Sequence, residues 1–277
     1  KRQLYYSQNK KSRLYYVKHF DSEKIHEKTI LYEVRDGQSI TDSPLAMFIY
    51  MTDQTEFQEW QHIWVVKESI DRQQILVNVP EKKHKFVQFV TRDSLEYSKW
   101  LLKAKYVVTN STFNFFWQKR PGQIYINTWH GTPLKYMGYD IPGNKASLKN
   151  VQRNLLMTDF LLSPNEHTTH VFFDRYKLNG LYNGKILESG YPRNDLLQTK
   201  DETIREQLIS SGIKLANKPI VLYTPTWKGT SINNPAGSLE QIYAEITFLQ
   251  KKHPELQILL KVHPYAYGQA RLFGKLQ

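Results

Sequence analysis

Four short strings carry side chains suited to proton transfer and anion binding. The densest is Asn127-Thr128-Trp129-His130-Gly131-Thr132-Pro133-Leu134-Lys135. A histidine that titrates near neutrality is the usual general base for a hydroxyl nucleophile. Gly131 is expected to let the backbone bend and a ligand come close. Thr132 and Lys135 add a hydroxyl and a positive charge. The second string is Gly190-Tyr191-Pro192-Arg193-Asn194-Asp195. Arg193 beside a helix start would suit a phosphate or carboxylate. The plainer reading is a turn with Asn194 or Asp195 as a helix cap. The third, Tyr223-Thr224-Pro225-Thr226-Trp227-Lys228-Gly229, reads as a loop of phosphate-facing kind, although it is not a GxxxxGK[ST] loop. The fourth, Lys261-Val262-His263-Pro264, puts a second histidine after an apolar run.

These strings need elements to hold them, and the chain supplies a regular rhythm. Strands are expected at 29–34, 62–66, 86–90, 106–109 and 123–128. Helical spacing lies between them at 45–51, with Ser43 as N-cap and Pro44 at the first position, and at 94–103. Further on, helices are expected at 144–157, 165–176, 201–211 and 238–252. Strands are expected at 159–162, 185–188, 219–224 and 256–262. Gly212 marks a helix stop. Strand–helix–strand repetition with short connections is the signature of a layered α/β sheet of mainly parallel strands. Ligands bind beyond the carboxyl ends of such strands, where His130 and His263 both fall.

Composition narrows the chemistry. With no cysteine among 277 residues, a disulfide scaffold, an iron–sulfur cluster, a thiolate zinc site and a cysteine nucleophile are excluded. HExxH and GxSxG are absent, which removes the zinc-protease and esterase patterns. His167 and His170 lack a convincing third ligand and read as surface or capping residues. No run approaches the ~18–20 apolar residues of a membrane span. The net charge of +12 favours anionic partners. Lys1, Arg2, Lys10, Lys11, Arg13 and Lys18 lie in a stretch without acidic residues, interleaved with Tyr5, Tyr6, Tyr15, Tyr16 and Phe20. That mixture reads as a solvated arm, or as a patch for an anionic membrane surface or nucleic acid.

Taken in order, the four strings resemble the CDP-glycerol glycerophosphotransferases, the teichoic acid primases and polymerases of Gram-positive bacteria. The resemblance spans roughly residues 28–264. It implies a GT-B-like α/β fold: two Rossmann-like domains with mainly parallel sheets. The expected division is a basic arm or linker at 1–27, an acceptor-side domain at 28–210 and the start of a nucleotide-donor domain at 211–277. The second domain reads as incomplete, because the family's Asp-Tyr-Ser-Ser segment is missing. The implied reaction moves glycerol phosphate from CDP-glycerol to a hydroxyl of a lipid-linked teichoic acid or capsule precursor and releases CMP. Alternatives are a CDP-ribitol donor and a non-catalytic fragment that binds anionic surfaces. The family's essential histidines map onto His130 and His263. Gly131, Thr132, Lys135, Arg193, Asn194, Asp195, Thr224, Thr226, Lys228 and Lys261 are the expected substrate contacts. No metal ligand set or required cofactor is visible, and a divalent cation stays open. The implied partners are CDP-glycerol, a polyprenyl-linked acceptor and the cytoplasmic membrane surface with peripheral attachment. Nucleic acid is not an expected partner.

Overall fold

The computed structural model describes residues 2–143, 145–198, 201–225, 228–231, 234–236 and 239–262. They form two units, Lys1–Gln198 and Thr199–Gln277.

In the first unit seven strands make one parallel sheet. They are β1 (His26–Glu33), β2 (Gln61–Val66), β3 (Val87–Thr91), β4 (Ala104–Thr109), β5 (Ile124–Asn127), β6 (Phe160–Leu162) and β7 (Lys185–Leu187). Their spatial order is β3-β2-β1-β4-β5-β6-β7. The chain steps outward from β1 to β3, crosses back to β4, and steps outward the other way. That reversal opens a crevice beyond the carboxyl ends of β1 and β4, the usual ligand position in such sheets.

Both faces of the sheet are covered, so its central strands read as unbroken apolar runs. Side chains alternate between faces along each strand. Leu31, Ile63 and Val107 are in register on one face, where they pack with Tyr16, Tyr97 and Leu101. Tyr32, Trp64 and Val108 are in register on the other, where they pack with Leu45 and Phe48. The helices that bring these partners are α1 (Arg2–Lys18) and α4 (Leu95–Lys103) on the first face and α2 (Asp42–Asp53) on the second. The single turn α3 (Arg72–Ile75), then α5 (Lys149–Met157) and α6 (Glu166–Arg175), complete the unit.

Several expectations need correction. The segment 1–27 is not a free arm: residues 2–18 are helical and pack on α4. Tyr16 is buried and its hydroxyl donates to the Gln118 carbonyl at 2.5 Å. Ser12, also buried, hydrogen-bonds Ser98 at 2.6 Å. Ser43 is not the cap of α2. The helix starts at Asp42, whose carboxylate accepts from the Ser43 amide at 2.8 Å. The side chains of Ser94 and Asn165 cap α4 and α6. Residues 145–148 form a 3₁₀ turn that precedes α5.

The second unit begins with α7 (Asp201–Ser210), so the division falls after residue 198 rather than 210. Arg205 on α7 donates to the carbonyls of Ala216 and Lys218, which ties the helix to the chain that follows it. Gly212, at φ +86°, ends α7 in the left-handed conformation. The strands β8 (Ile220–Tyr223) and β11 (Gln257–Leu260) pair in parallel, with Leu260 beside Tyr223. Between them lie β9 (Lys228–Ser231), β10 (Asn234–Ala236) and α8 (Leu239–Lys252). β9 and β10 form an antiparallel pair, so Lys228 opens a strand instead of continuing a loop.

Candidate active site

At the end of β5 the chain turns sharply. Thr128 still holds β4 through its amide, which donates to the Thr109 carbonyl at 2.9 Å. Trp129 then takes a left-handed conformation, φ +54°. Its amide is caught by the Asn127 side chain at 2.8 Å. Left-handed backbone costs a non-glycine residue ~1–2 kcal/mol. Burial of the indole offsets it: Trp129 packs edge-on against Phe172 and Tyr176. The tryptophan is thus the anchor. Gly131, to which the bend was assigned, is not left-handed, and a side chain there would meet nothing within 4 Å.

His130 emerges on the solvent side. Its Nδ1 lies 2.7 Å from the carbonyl oxygen of Asn110, just past the end of β4. A carbonyl only accepts, so Nδ1 carries the proton and the neutral ring keeps its lone pair on Nε2. Atoms crowded around the ring push its pKa below the ordinary histidine value. The Asn110 bond and the Asp42 charge oppose that shift, while Arg35 and Arg193 add to it. The ring is therefore unprotonated near pH 7 and able to take a proton.

A relay of polar side chains fixes this rim. The Asn110 side chain accepts from the Arg35 amide at 3.1 Å and donates to Asp42 at 2.8 Å. Asp42 accepts from Arg193 at 3.0 Å, and the same nitrogen of Arg193 donates to the His130 carbonyl at 2.9 Å. Arg193 also lies over the Tyr191 ring, 4.6 Å from its centroid. Arg35, Thr41, Asp42, Asn110, Ser111 and His130, together with Arg193, line a cavity of about 440 Å³. This volume is in the range of small-molecule sites. Behind it a second network braces the end of β1. The buried Glu33 accepts from Arg92 at 2.9 Å and Tyr97 at 2.5 Å, and Arg92 also reaches Asp36 and Asp93.

Among the residues singled out from the sequence, the structure brings His130 and Arg193 together. Thr132 and Lys135 are exposed and do not line the cavity. Asn194 and Asp195 are exposed in a 3₁₀ turn, Pro192–Gln198, and cap no α-helix; the Asn194 amide donates to the Tyr191 carbonyl. In the second unit Thr224 and Lys261 follow the paired ends of β8 and β11, and the Lys261 amide donates to the Tyr223 carbonyl at 3.0 Å. Thr226 and His263 lie outside the described residues, as does the side chain of Lys228. His167 reaches the Pro133 carbonyl at 3.1 Å and so steadies the segment after His130. His170 lies 3.8 Å from Glu166. Among the described residues no cluster of three or more His, Asp or Glu is arranged to hold a metal. Arg35, Thr41, Asp42, Asn110 and Ser111 were not expected. The strand-end rule applied to β1 and β4, and not only to β5, would have found them.

Comparison with known proteins gives a consistent picture. The family model described as CDP-Glycerol:Poly(glycerophosphate) glycerophosphotransferase matches residues 14–276. The teichoic acid poly(glycerol phosphate) polymerase of Bacillus spizizenii is 32% identical over 218 residues, 74% of this chain and 51% of that protein. The teichoic acid glycerol-phosphate transferase of Staphylococcus aureus is 30% identical over 251 residues, 87% of this chain and 61% of that protein. A solved structure of the wall teichoic acid polymerase TagF, a histidine variant soaked with CDPG, superposes with a TM-score of 0.76. It is 26% identical, and the match covers 99% of this chain and 65% of that one. This likeness carries the GT-B-like α/β fold class. The chain thus spans about half the length of the first of these relatives.

Proposed function

Because the chain belongs to the CDP-glycerol:poly(glycerophosphate) glycerophosphotransferase family, we propose that it moves glycerol phosphate from CDP-glycerol to a hydroxyl of a lipid-linked teichoic acid or capsule precursor. The observation that carries this reading is the tautomer of His130. With Nδ1 committed to the Asn110 carbonyl, Nε2 is left to accept a proton beside the cavity. In the step we envisage, Nε2 takes the proton of the acceptor hydroxyl as its oxygen attacks the β-phosphorus. One O–P bond forms, the bond from that phosphorus to the bridging oxygen breaks, and CMP departs with the bridging oxygen. Such transfers depend on positioning and charge stabilisation more than on covalent chemistry. Arg193, held between Asp42 and the His130 carbonyl, places a cation beside the base and suits a donor phosphate.

The remaining assignments rest on the sequence. His263 and Lys261 would stabilise the pyrophosphate and departing CMP, with Thr224, Thr226 and Lys228 as further donor contacts. Gly131, Thr132, Lys135, Asn194 and Asp195 would border the substrates from the first unit. Peripheral attachment to the cytoplasmic face of the membrane fits α1, which exposes Leu14 and Val17 among Lys10, Lys11, Arg13 and Lys18. Among the described residues no helix is long and apolar enough to cross a membrane.

The test is CMP release from CDP-glycerol, with CDP-ribitol in parallel, on a defined lipid acceptor. His130→Ala should still bind the donor and turn over ~100-fold slower, the scale of general-base loss. Near wild-type turnover would remove His130 from this role. His263→Ala should weaken donor binding as well as rate.

A further inference from the structure

The charges around the cavity do not cancel. Arg35 and Arg193 face one carboxylate, Asp42, and His130 is neutral, which leaves one positive charge. Arg193 is the compensated cation, paired with Asp42 at 3.0 Å. Asp36, the acid next to Arg35 in sequence, is taken by Arg92 at 3.0 Å. The Arg35 guanidinium has no hydrogen bond, ion pair or ring partner among the described residues. Its backbone is nevertheless fixed, at φ +47° with its amide on the Asn110 side chain. A cation held at a cavity wall without a partner is a place for an anion. Thr41 and Ser111 line the same cavity and offer hydroxyl donors.

We propose that Arg35, with Thr41 and Ser111, binds a phosphodiester of the acceptor chain, so that the hydroxyl at the end of that chain is presented to His130. This rests on the transferase reading above and names the acceptor as a polyanion, recognised one phosphate back from its reactive end. Guanidinium suits the task, because its planar fork matches two phosphate oxygens at once. The donor has its own cation in Arg193, so the two substrates meet different arginines.

Isothermal titration of the full chain with a synthetic glycerol-phosphate oligomer tests this. A neutral polyglycerol of equal length and CDP-glycerol serve as comparison ligands. Wild type should bind the phosphodiester oligomer and prefer it to the neutral chain. Arg35→Gln should bind it roughly tenfold to hundredfold more weakly, the range of a lost charged hydrogen bond. CDP-glycerol affinity should stay unchanged. Arg35→Lys keeps the charge and should recover most of the binding, which separates anion recognition from misfolding. Equal oligomer binding by wild type and Arg35→Gln would overturn the proposal. So would equal affinity for the neutral chain, or no binding by wild type. Oligomer binding that needs Arg35, without CMP release, leaves this subsite standing and overturns the transferase reading. Turnover that ignores Arg35 does the reverse.

Discussion

The relay from Asp42 through Asn110 makes a prediction that two substitutions can check. Asp42 presents one oxygen to Arg193 and the Ser43 amide, and the other to the Asn110 side-chain nitrogen. Asn110 in turn spends its side-chain oxygen on the Arg35 amide. In Asp42→Asn the first oxygen survives. The second becomes an NH₂ group facing another NH₂ group. Rotating the Asn110 amide only moves the clash, because its nitrogen would then face the Arg35 N–H. One donor stays unsatisfied whichever way the amides turn, at ~1–3 kcal/mol for a largely buried group. Asparagine tolerates the left-handed backbone of position 42, φ +65°, so strain adds little. The paired change Asp42→Asn with Asn110→Asp restores an acceptor for both neighbours. Urea unfolding should show the single Asp42→Asn variant ~1–3 kcal/mol less stable. The double variant should recover more than half of that loss. Turnover should follow the same order, because the Asn110 carbonyl that orients His130 sits on this relay. An Asp42→Asn protein as stable and active as wild type, or a double variant no better than the sum of the singles, would refute the reasoning.

Two further outcomes follow from groups away from the cavity. His62 is buried against Tyr32, whose hydroxyl lies 3.0 Å from its Nδ1, and burial pushes its pKa down to about 4. The unfolded chain therefore binds the proton first, and stability falls as pH drops from about 6.5 towards 4, by ~3 kcal/mol in all. His62→Phe should flatten this slope in urea titrations at pH 4.5 and 7, and an unchanged slope would count against it. Tyr16→Ala, which removes a buried ring seated edge-on against Phe20 and Phe116, should cost about 3–5 kcal/mol. A melting temperature equal to that of wild type would show that α1 is dispensable to the fold.

The strands were legible because parallel strands buried on both faces must be apolar throughout, as Ile30 to Tyr32 and Ile63 to Val66 are. Helices α4 and α6 were legible from their apolar spacing, and the structure adds the side-chain caps Ser94 and Asn165 at their starts. Helix α1 was hidden because, of its side chains described from Asn9 onward, only Ser12 and Tyr16 are fully buried. A narrow stripe among lysines looks like a solvated arm. His130 stood out by its neighbours in sequence, but its partners could not. Asp42 and Asn110 are 68 positions apart, and Asp42 and Arg193 are 151 apart. Only the strand order places them on one rim.

Arg35, Asp36, Asp42 and Trp129 all adopt left-handed backbone, and all four lie at the carboxyl ends of β1 and β5 or at the start of α2. This has a consequence for how the protein tolerates change. Glycine at the exposed Arg35 or Asp36 would relieve strain, so a screen for thermal resistance should enrich substitutions there, whereas at Asp42 and Trp129 the lost hydrogen bonds and the lost buried ring outweigh that relief. Each such gain would slacken a turn that aims a side chain into the cavity. Selection for robustness and selection for turnover would therefore pull the same few codons in opposite directions.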